Sequence, residues 1–423
     1  MLDLNFIRNN ADIVKKACEN KQLDAAMVDE LLKTDKKRRE LLVRVEEIRK
    51  NINENASTIK TQVQKGEKPD KELVQRGKDL KTQLKEVEPQ LKEFEKNLQD
   101  LMYQIPNIPA DGVPVGSDES GNQLIRQEGE ILKYDFQPKP HHELMENLDM
   151  LDTKRAVKIA GFRSYFLKNA GVLLEHALLQ HSMDLLIKDG FSPMIVPNMV
   201  NEKTMWGTGY FPWGSDDHYK TQDGQYLAGT AEVALTAYHK DELLTEKDLP
   251  IKMAGISTCY RREVGAYGKD THGIIRVHQF NKVEQVIYTT ADEKETTSWH
   301  ETILANSEAL LQSLELPYQI LLMCTGDMGA SQRKKYDIET WFPAQKKYRE
   351  THSASYFNDF QARRLNIKYQ AKDGNTKYVY TLNNTMAASP RLLAAIIENY
   401  QLPDGSIRVP EVLQKYINKK VIE

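Results

Sequence analysis

CYRREVGAYGKDTHGIIRVHQFNKVEQVIY, residues 259–288, decides the fold. It opens with a polar Tyr260-Arg261-Arg262-Glu263 run in strand-like surroundings. It passes through a charged loop punctuated by Gly265, Gly268 and Gly273, and returns through a stretch that alternates apolar and polar residues. That pattern predicts a long β-hairpin with arginines near its base and Phe280 on the returning limb. Planar guanidinium groups held on a sheet suit phosphate, because each can grip two oxygens at once. A glutamate beside them can accept from an amine, and an aromatic face can stack on a base. The competing reading is a surface hairpin laced by cross-strand ion pairs.

The chain around it has 423 residues, 40% hydrophobic and 28% charged, with a formal net charge of -3. This is the composition of a globular protein with at least one large core. Downstream of residue 117, β-type runs (192–196, 274–277, 283–288, 320–323, 377–381) alternate with helical patterns (about 172–189, 231–243, 292–314, 390–400). Without a regular βαβ rhythm, this predicts an α+β domain, 117–423, around an antiparallel sheet with flanking helices. Residues 105–116, IPNIPADGVPVG, read as a linker.

Residues 1–104 differ in kind, being rich in Lys, Glu, Gln and Leu. Leu73, Leu80, Leu84, Val87, Leu91, Phe94, Leu98 and Leu101 alternate spacings of four and three for the most part, a heptad seam. Leu41, Val45, Ile48, Ile52, Ala56, Ile59 and Val63 nearly repeat it. QKGEKPD between them breaks helix, so the two predict an antiparallel coiled-coil hairpin, with Pro89 bending the second helix. Residues 33–100 carry a surplus of about four positive charges, a modest bias towards phosphate. A solvated spacer or dimerisation coil fits the charge pattern equally well.

Several chemistries are absent. There is no GxxxxGK[ST], no GxGxxG in a strand–turn–helix setting, no GxSxG and no HExxH. Cys18, Cys259 and Cys324 form no CxxC pair, which argues against a zinc centre and fits a reducing cytoplasm. No apolar stretch is long enough to span a bilayer, and the N-terminus does not read as a secretory signal.

The Tyr260–Glu263 run resembles motif 2 of class II aminoacyl-tRNA synthetases, and GKDTHGIIRVHQFNKVE resembles the form of that loop in seryl-tRNA synthetases. LAGTAEVAL (227–235), FPAQKKYRETHSASYFNDFQARR (342–364), the motif 3-like stretch 381–413 and the motif 1-like LIKDGFSPMIVPNMV (186–200) follow the family order, and the N-terminal hairpin resembles the family's tRNA-binding arm. The resemblance implies a serine--tRNA ligase that activates L-serine with ATP and loads tRNA(Ser). It also implies a homodimer built on motif 1, and the family often charges tRNA(Sec) as well.

By the same resemblance, Arg261 and Arg391 would be the catalytic cations. Thr230, Ala231, Glu232, Arg261, Glu284 and Thr385 would bind serine. Arg261, Arg262, Glu263, Val277, Phe280, Glu350, Thr351, His352, Ser353 and Arg391 would bind ATP, with Glu350 and Ser353 on Mg2+ and no zinc. His352 departs from the family's usual Glu-Ile-Ser-Ser, and no role is assigned to it. Taken alone, Glu232 reads as an ordinary acid in a first helical turn, and Arg391 could pair with an acid of the helix it opens. A carrier-protein ligase of the same fold and a catalytically dead RNA-binding paralogue are the rival readings. The first lacks a long arm and uses zinc.

Overall fold

The computed structural model describes residues 1–265, 268 and 270–423. The chain forms two compact units, one of Leu2–Glu19 with Leu23–Pro106, the other of Met1, Asn20–Gln22 and Asn107–Glu423.

The first unit is dominated by helices α1 (Ala26–Gln64) and α2 (Lys71–Gln104). They break at the Gly/Pro-containing connection, and Asp70 caps α2 by accepting from the Glu72 N–H. Val45, Ile48, Leu80, Val87 and Leu91 bury one another along the seam. The seam ends early on α1, where Ala56 and Val63 are exposed. Asn55 is buried instead, and its amide donates to the Leu73 oxygen at 2.9 Å. Arg49 pairs with Glu88 further from the turn, so α1 and α2 run antiparallel. A buried amide that donates across a coiled coil specifies register at some cost in stability. Helix α2 continues past Pro89 without interruption.

The second unit is built on an eight-stranded sheet: β1 (Gln123–Glu128), β2 (Ser192–Ile195), β3 (Ile251–Tyr260), β4 (Gln279–Thr289), β5 (Tyr318–Leu322), β6 (Lys334–Phe342), β7 (Lys347–Asn358) and β8 (Tyr380–Ala388). The order is β1-β5-β6-β7-β8-β4-β3-β2. All pairings are antiparallel except β2 with β3, which is parallel. Helices α3 (Ala170–Lys188), α4 (Glu293–Ser313) and α5 (Ser389–Asn399) supply the apolar residues that complete the main core, among them Leu174, Ile303 and Ile396.

Four local expectations change. Residues 274–277 form no strand; β4 begins at Gln279. Arg261, Arg262 and Glu263 lie beyond the end of β3, not on it. The helix expected over 231–243 is only Glu232–Thr236, because the chain turns off after Ala237. The run 377–381 divides at Val379 between a strand Thr376–Tyr378 of a separate three-stranded sheet and β8. Composition cannot see these breaks, since apolar residues are needed in packed loops as well as in strands.

The segment after Pro106 is no loose connector. The Asn107 amide donates to the oxygens of Phe357 (2.8 Å) and Ser331 (3.1 Å), and the Ala110 N–H donates to the Arg333 oxygen.

Candidate active site

Strand alternation builds the floor of the site. Phe280, Lys282 and Glu284 occupy alternate positions of β4 and therefore share a face. Glu284 stands between Thr385 on β8 and Gly255 on β3. A Cβ at Gly255 would come within 2.8 Å of Leu235 Cδ1, so the site's wall packs directly against bare backbone there.

Three groups converge on the buried Glu284 carboxylate. Thr230 Oγ1 donates at 3.3 Å and Thr385 Oγ1 at 3.4 Å, both to Oε2. Lys282 Nζ pairs with the same oxygen and lies 3.4 Å from Thr385 Oγ1. A buried carboxylate is costly unless charge and hydrogen bonds compensate it, and here Lys282 supplies the charge.

Glu232 lies beside this group, fully enclosed at 8% exposure. Tyr210 donates to Oε2 at 2.8 Å and Gln361 to Oε1 at 3.0 Å. Gln361 is itself oriented, donating to the Thr208 oxygen and accepting from Thr381. Burial, and next the nearby Glu284, push the Glu232 carboxyl up to about 7, and the two donors only partly oppose the rise. It is thus more than an acid in a first helical turn. Ala231 is buried just before it and packs against Met253 and Leu235 in a separate apolar cluster.

A cleft opens next to this chamber, lined by Arg261, Glu263, Ile275, Val277, Phe280, Lys282, Glu350, Thr351, His352, Thr385, Ala388, Pro390 and Arg391. The Arg261 guanidinium lies 5.4 Å from the Phe280 ring centre, and its Nε donates to the Gly229 oxygen. Glu263 adopts a positive φ of 54° and accepts from Arg276 Nη1 at 3.2 Å. Arg276 also reaches Asp270, which in turn binds Arg349. Arg391 pairs with Glu350 rather than with an acid of its own helix. Against some desolvation, the Arg391 guanidinium and the Lys335 ammonium hold the half-exposed Glu350 carboxyl below the ordinary range.

Arg262 is turned away from the cleft, with its side chain on the Asp216 oxygen. His352 is buried, and burial drives its imidazole down to about 3; its Nδ1 lies 2.9 Å from Thr351 Oγ1. Glu350 and Ser353 are three residues apart, a spacing that puts side chains on opposite faces of a regular strand. Here Glu350 pairs with Glu339 and Ser353 with Asp337, with a bulge between. The bulge returns both side chains to one face. Among the described residues no three His, Cys, Asp or Glu side chains are close enough to hold a metal alone. Glu350 and Ser353 offer two oxygen donors on that face, the donor type a hard cation prefers. Of the loop tip Ala266–His272, Ala266, Tyr267 and Lys269 lie outside the described residues.

Tyr210, Lys282, Arg276 and Gln361 were not singled out from the sequence. Lys282 was within reach, two residues from both Phe280 and Glu284 on one strand. Tyr210 and Gln361 approach from distant segments and leave no local signal.

The family model for the seryl-tRNA synthetase N-terminal domain matches residues 1–109, and that for the class II tRNA synthetase core domain (G, H, P, S and T) matches 217–400. The serine--tRNA ligase of Deinococcus radiodurans is 44% identical over 423 residues, covering 100% of this chain and 99% of the relative. That of Natranaerobius thermophilus is 45% identical, covering 99% of each. A crystal structure of seryl-tRNA synthetase from Pyrococcus horikoshii complexed with ATP superposes with a TM-score of 0.92 at 40% identity, covering 100% of this chain and 99% of that one. With both family models, full-length relatives and the fold in agreement, the chain belongs to the seryl-tRNA synthetases, within the class II aminoacyl-tRNA synthetases.

Proposed function

We propose that the chain is a serine--tRNA ligase, which joins L-serine to ATP as seryl-adenylate and then transfers the seryl group to tRNA(Ser). The observation that carries the substrate is the buried Glu284 carboxylate, held by the hydroxyls of Thr230 and Thr385, the second of which also lines the Arg261–Phe280 cleft. A pocket built to hydrogen-bond a hydroxyl rejects alanine, because its buried polar groups would lose their partner. Glu232 would receive the α-ammonium group.

In the first step an oxygen of the serine carboxylate attacks the α-phosphorus, the bond to the β-phosphate oxygen breaks, and pyrophosphate leaves with the electron pair. Arg261 would meet both the serine carboxylate and the α-phosphate, where negative charge accumulates in the transition state. Phe280 would stack on adenine beside Val277, with Glu263 on its amino group. Arg391 would bind the γ-phosphate. Thr351 and His352 form the cleft wall. Glu350 and Ser353 would hold Mg2+, which neutralises phosphate charge when bound. Catalysis is alignment and electrostatics, with no covalent enzyme intermediate.

The antiparallel arm α1–α2 would bind the long variable arm of the tRNA through its backbone, reading shape. tRNA(Sec), with a similar outline, is proposed as a second acceptor. An apolar groove between α3 and β2, where Ile195 is 90% exposed beside Leu173 and Met194, supports a homodimer. Among the described residues no helix is long and apolar enough to cross a membrane. Three free buried thiols suit a reducing compartment, and the cytoplasm is proposed as the place of work.

The test is ATP–pyrophosphate exchange with serine, threonine and alanine in parallel, followed by charging of tRNA(Ser). Serine alone should support strong exchange. Failure of every amino acid to support exchange would leave the dead-paralogue reading standing, and exchange without charging of any tRNA would favour the carrier-protein reading.

A further inference from the structure

The limb that returns from the loop to β4, residues 274–278, borders the nucleotide cleft yet has no strand beside it. Its backbone groups need other partners, since an unpaired buried N–H is costly. The backbone of Arg163 and Arg261 serves His278, and side chains from elsewhere serve the residues before it. Arg391 Nε lies 3.4 Å from the Ile275 oxygen, and Arg163 Nη1 donates to the Arg276 oxygen at 3.1 Å. The Ile274 N–H donates to Nε2 of His141 at 3.3 Å.

His141 is 2% exposed and belongs to none of the sequence signatures above. Its Nδ1 lies 2.9 Å from Glu398 Oε1, and its backbone N–H donates to the same oxygen at 3.1 Å. The other oxygen of Glu398 accepts from the Ala344 N–H. A carboxylate accepts only, so Nδ1 carries the proton and Nε2 presents a lone pair to Ile274. Both bonds agree on one tautomer. Glu398 follows Arg391 by seven residues on α5, two helical turns along the same face. The helix therefore clasps consecutive residues of the limb, Ile275 directly through Arg391 and Ile274 through His141. Gly273 makes room for this contact: with a φ of 76°, a Cβ there would sit 2.1 Å from His141 Nε2.

We propose that His141 is a positioning residue for ATP, which by accepting the Ile274 N–H sets Ile275, Arg276 and Val277 against the nucleotide. This rests on the ligase reading for its substrate.

Two variants separate this role from simple structural support. In His141→Asn the amide nitrogen stands where Nδ1 was and keeps the Glu398 bond, but nothing reaches Ile274. In His141→Gln the side-chain oxygen can reach the Nε2 position and accept from Ile274. Serine-dependent exchange should show the ATP KM raised about fivefold or more in the Asn variant, the effect of one lost hydrogen bond. The Gln variant should stay within about twofold of the parent, with the serine KM unchanged in both. Equal ATP KM values, or the Gln variant being the weaker, would overturn the proposal. Hydrogen exchange at the Ile274 amide of the unmodified protein needs no variant to fold: protection supports the bond, and exchange at the rate of an open loop refutes it. If the unmodified protein gave no exchange with serine, the ligase reading would fail. The amide measurement, repeated with ATP alone, would still decide the His141 contact.

Discussion

Arg391 Nη1 donates to both the backbone oxygen (2.8 Å) and the Oε2 carboxylate oxygen (3.0 Å) of Glu350. The residue proposed for the γ-phosphate and the residue proposed for the metal therefore neutralise each other before ATP arrives. A cation and an anion poised together can each turn to the opposite charge of a magnesium–triphosphate complex without a large change in net charge.

Removing the metal ligand should change the metal requirement. Glu350→Gln is expected to raise the magnesium concentration for half-maximal exchange about tenfold, the loss typical of one charged ligand. Titration of exchange against magnesium gives the answer, and an unchanged midpoint would remove Glu350 from the metal site.

Arg391→Ala should lower the rate of exchange about 100-fold, the scale seen when one preorganised charge contact to a transition state is lost. Arg391→Lys should recover only part of it, because a point charge replaces a two-pronged donor. Steady-state exchange at saturating serine measures both.

Glu232 carries a pH dependence of definite sign. Its carboxyl rises to about 7 in the folded chain, above its value of 4.5 when exposed. The native state thus holds the extra proton, and the stability it contributes is present below pH 4.5 and is lost as pH climbs through 7. Glu232→Gln cannot ionise, so its stability relative to the parent should improve by about 1–3 kcal/mol from pH 5 to pH 8. Denaturant melts at the two pH values test this. In binding the effect reverses: in the role proposed for Glu232, serine's ammonium needs the ionised form, so the serine KM of the parent should fall about tenfold between pH 6 and pH 8. The Gln variant should bind serine weakly and lose that slope.

Substrate choice should lie with Glu284. Glu284→Ala, with Lys282→Ala added so that no lone buried ammonium is left, is expected to cut the serine-over-alanine preference by about 100-fold, since neither substrate would then leave a carboxylate unpaired. Parallel exchange assays supply the ratio, and an unaltered preference would place recognition of the hydroxyl elsewhere.

The arm and the second unit should separate in function. Replacing residues 33–100 by a short Gly/Ser link removes most of α1 and α2 at their exposed end. Exchange should largely persist while charging of tRNA(Ser) collapses; undiminished charging would defeat the arm's role. Ile195→Glu should split the proposed dimer, which light scattering would register as a halved mass against the parent, because a charge in an apolar interface is costly.

The heptad leucines, the helix-breaking QKGEKPD and the alternation from Gln279 to Thr289 determine their elements through local physics: spacing selects a face, and glycine or proline ends a helix. The order of the signature stretches already indicated the family. Tertiary structure decided the remainder. It put the limb 274–278 outside the sheet, used Tyr210 and Gln361 to hold Glu232, and inserted the bulge that turns Glu350 and Ser353 to one side. Each of these depends on partners from other elements of the chain. Periodicity along the chain records which way a side chain faces its own strand or helix, and holds no record of what distant segment comes to meet it.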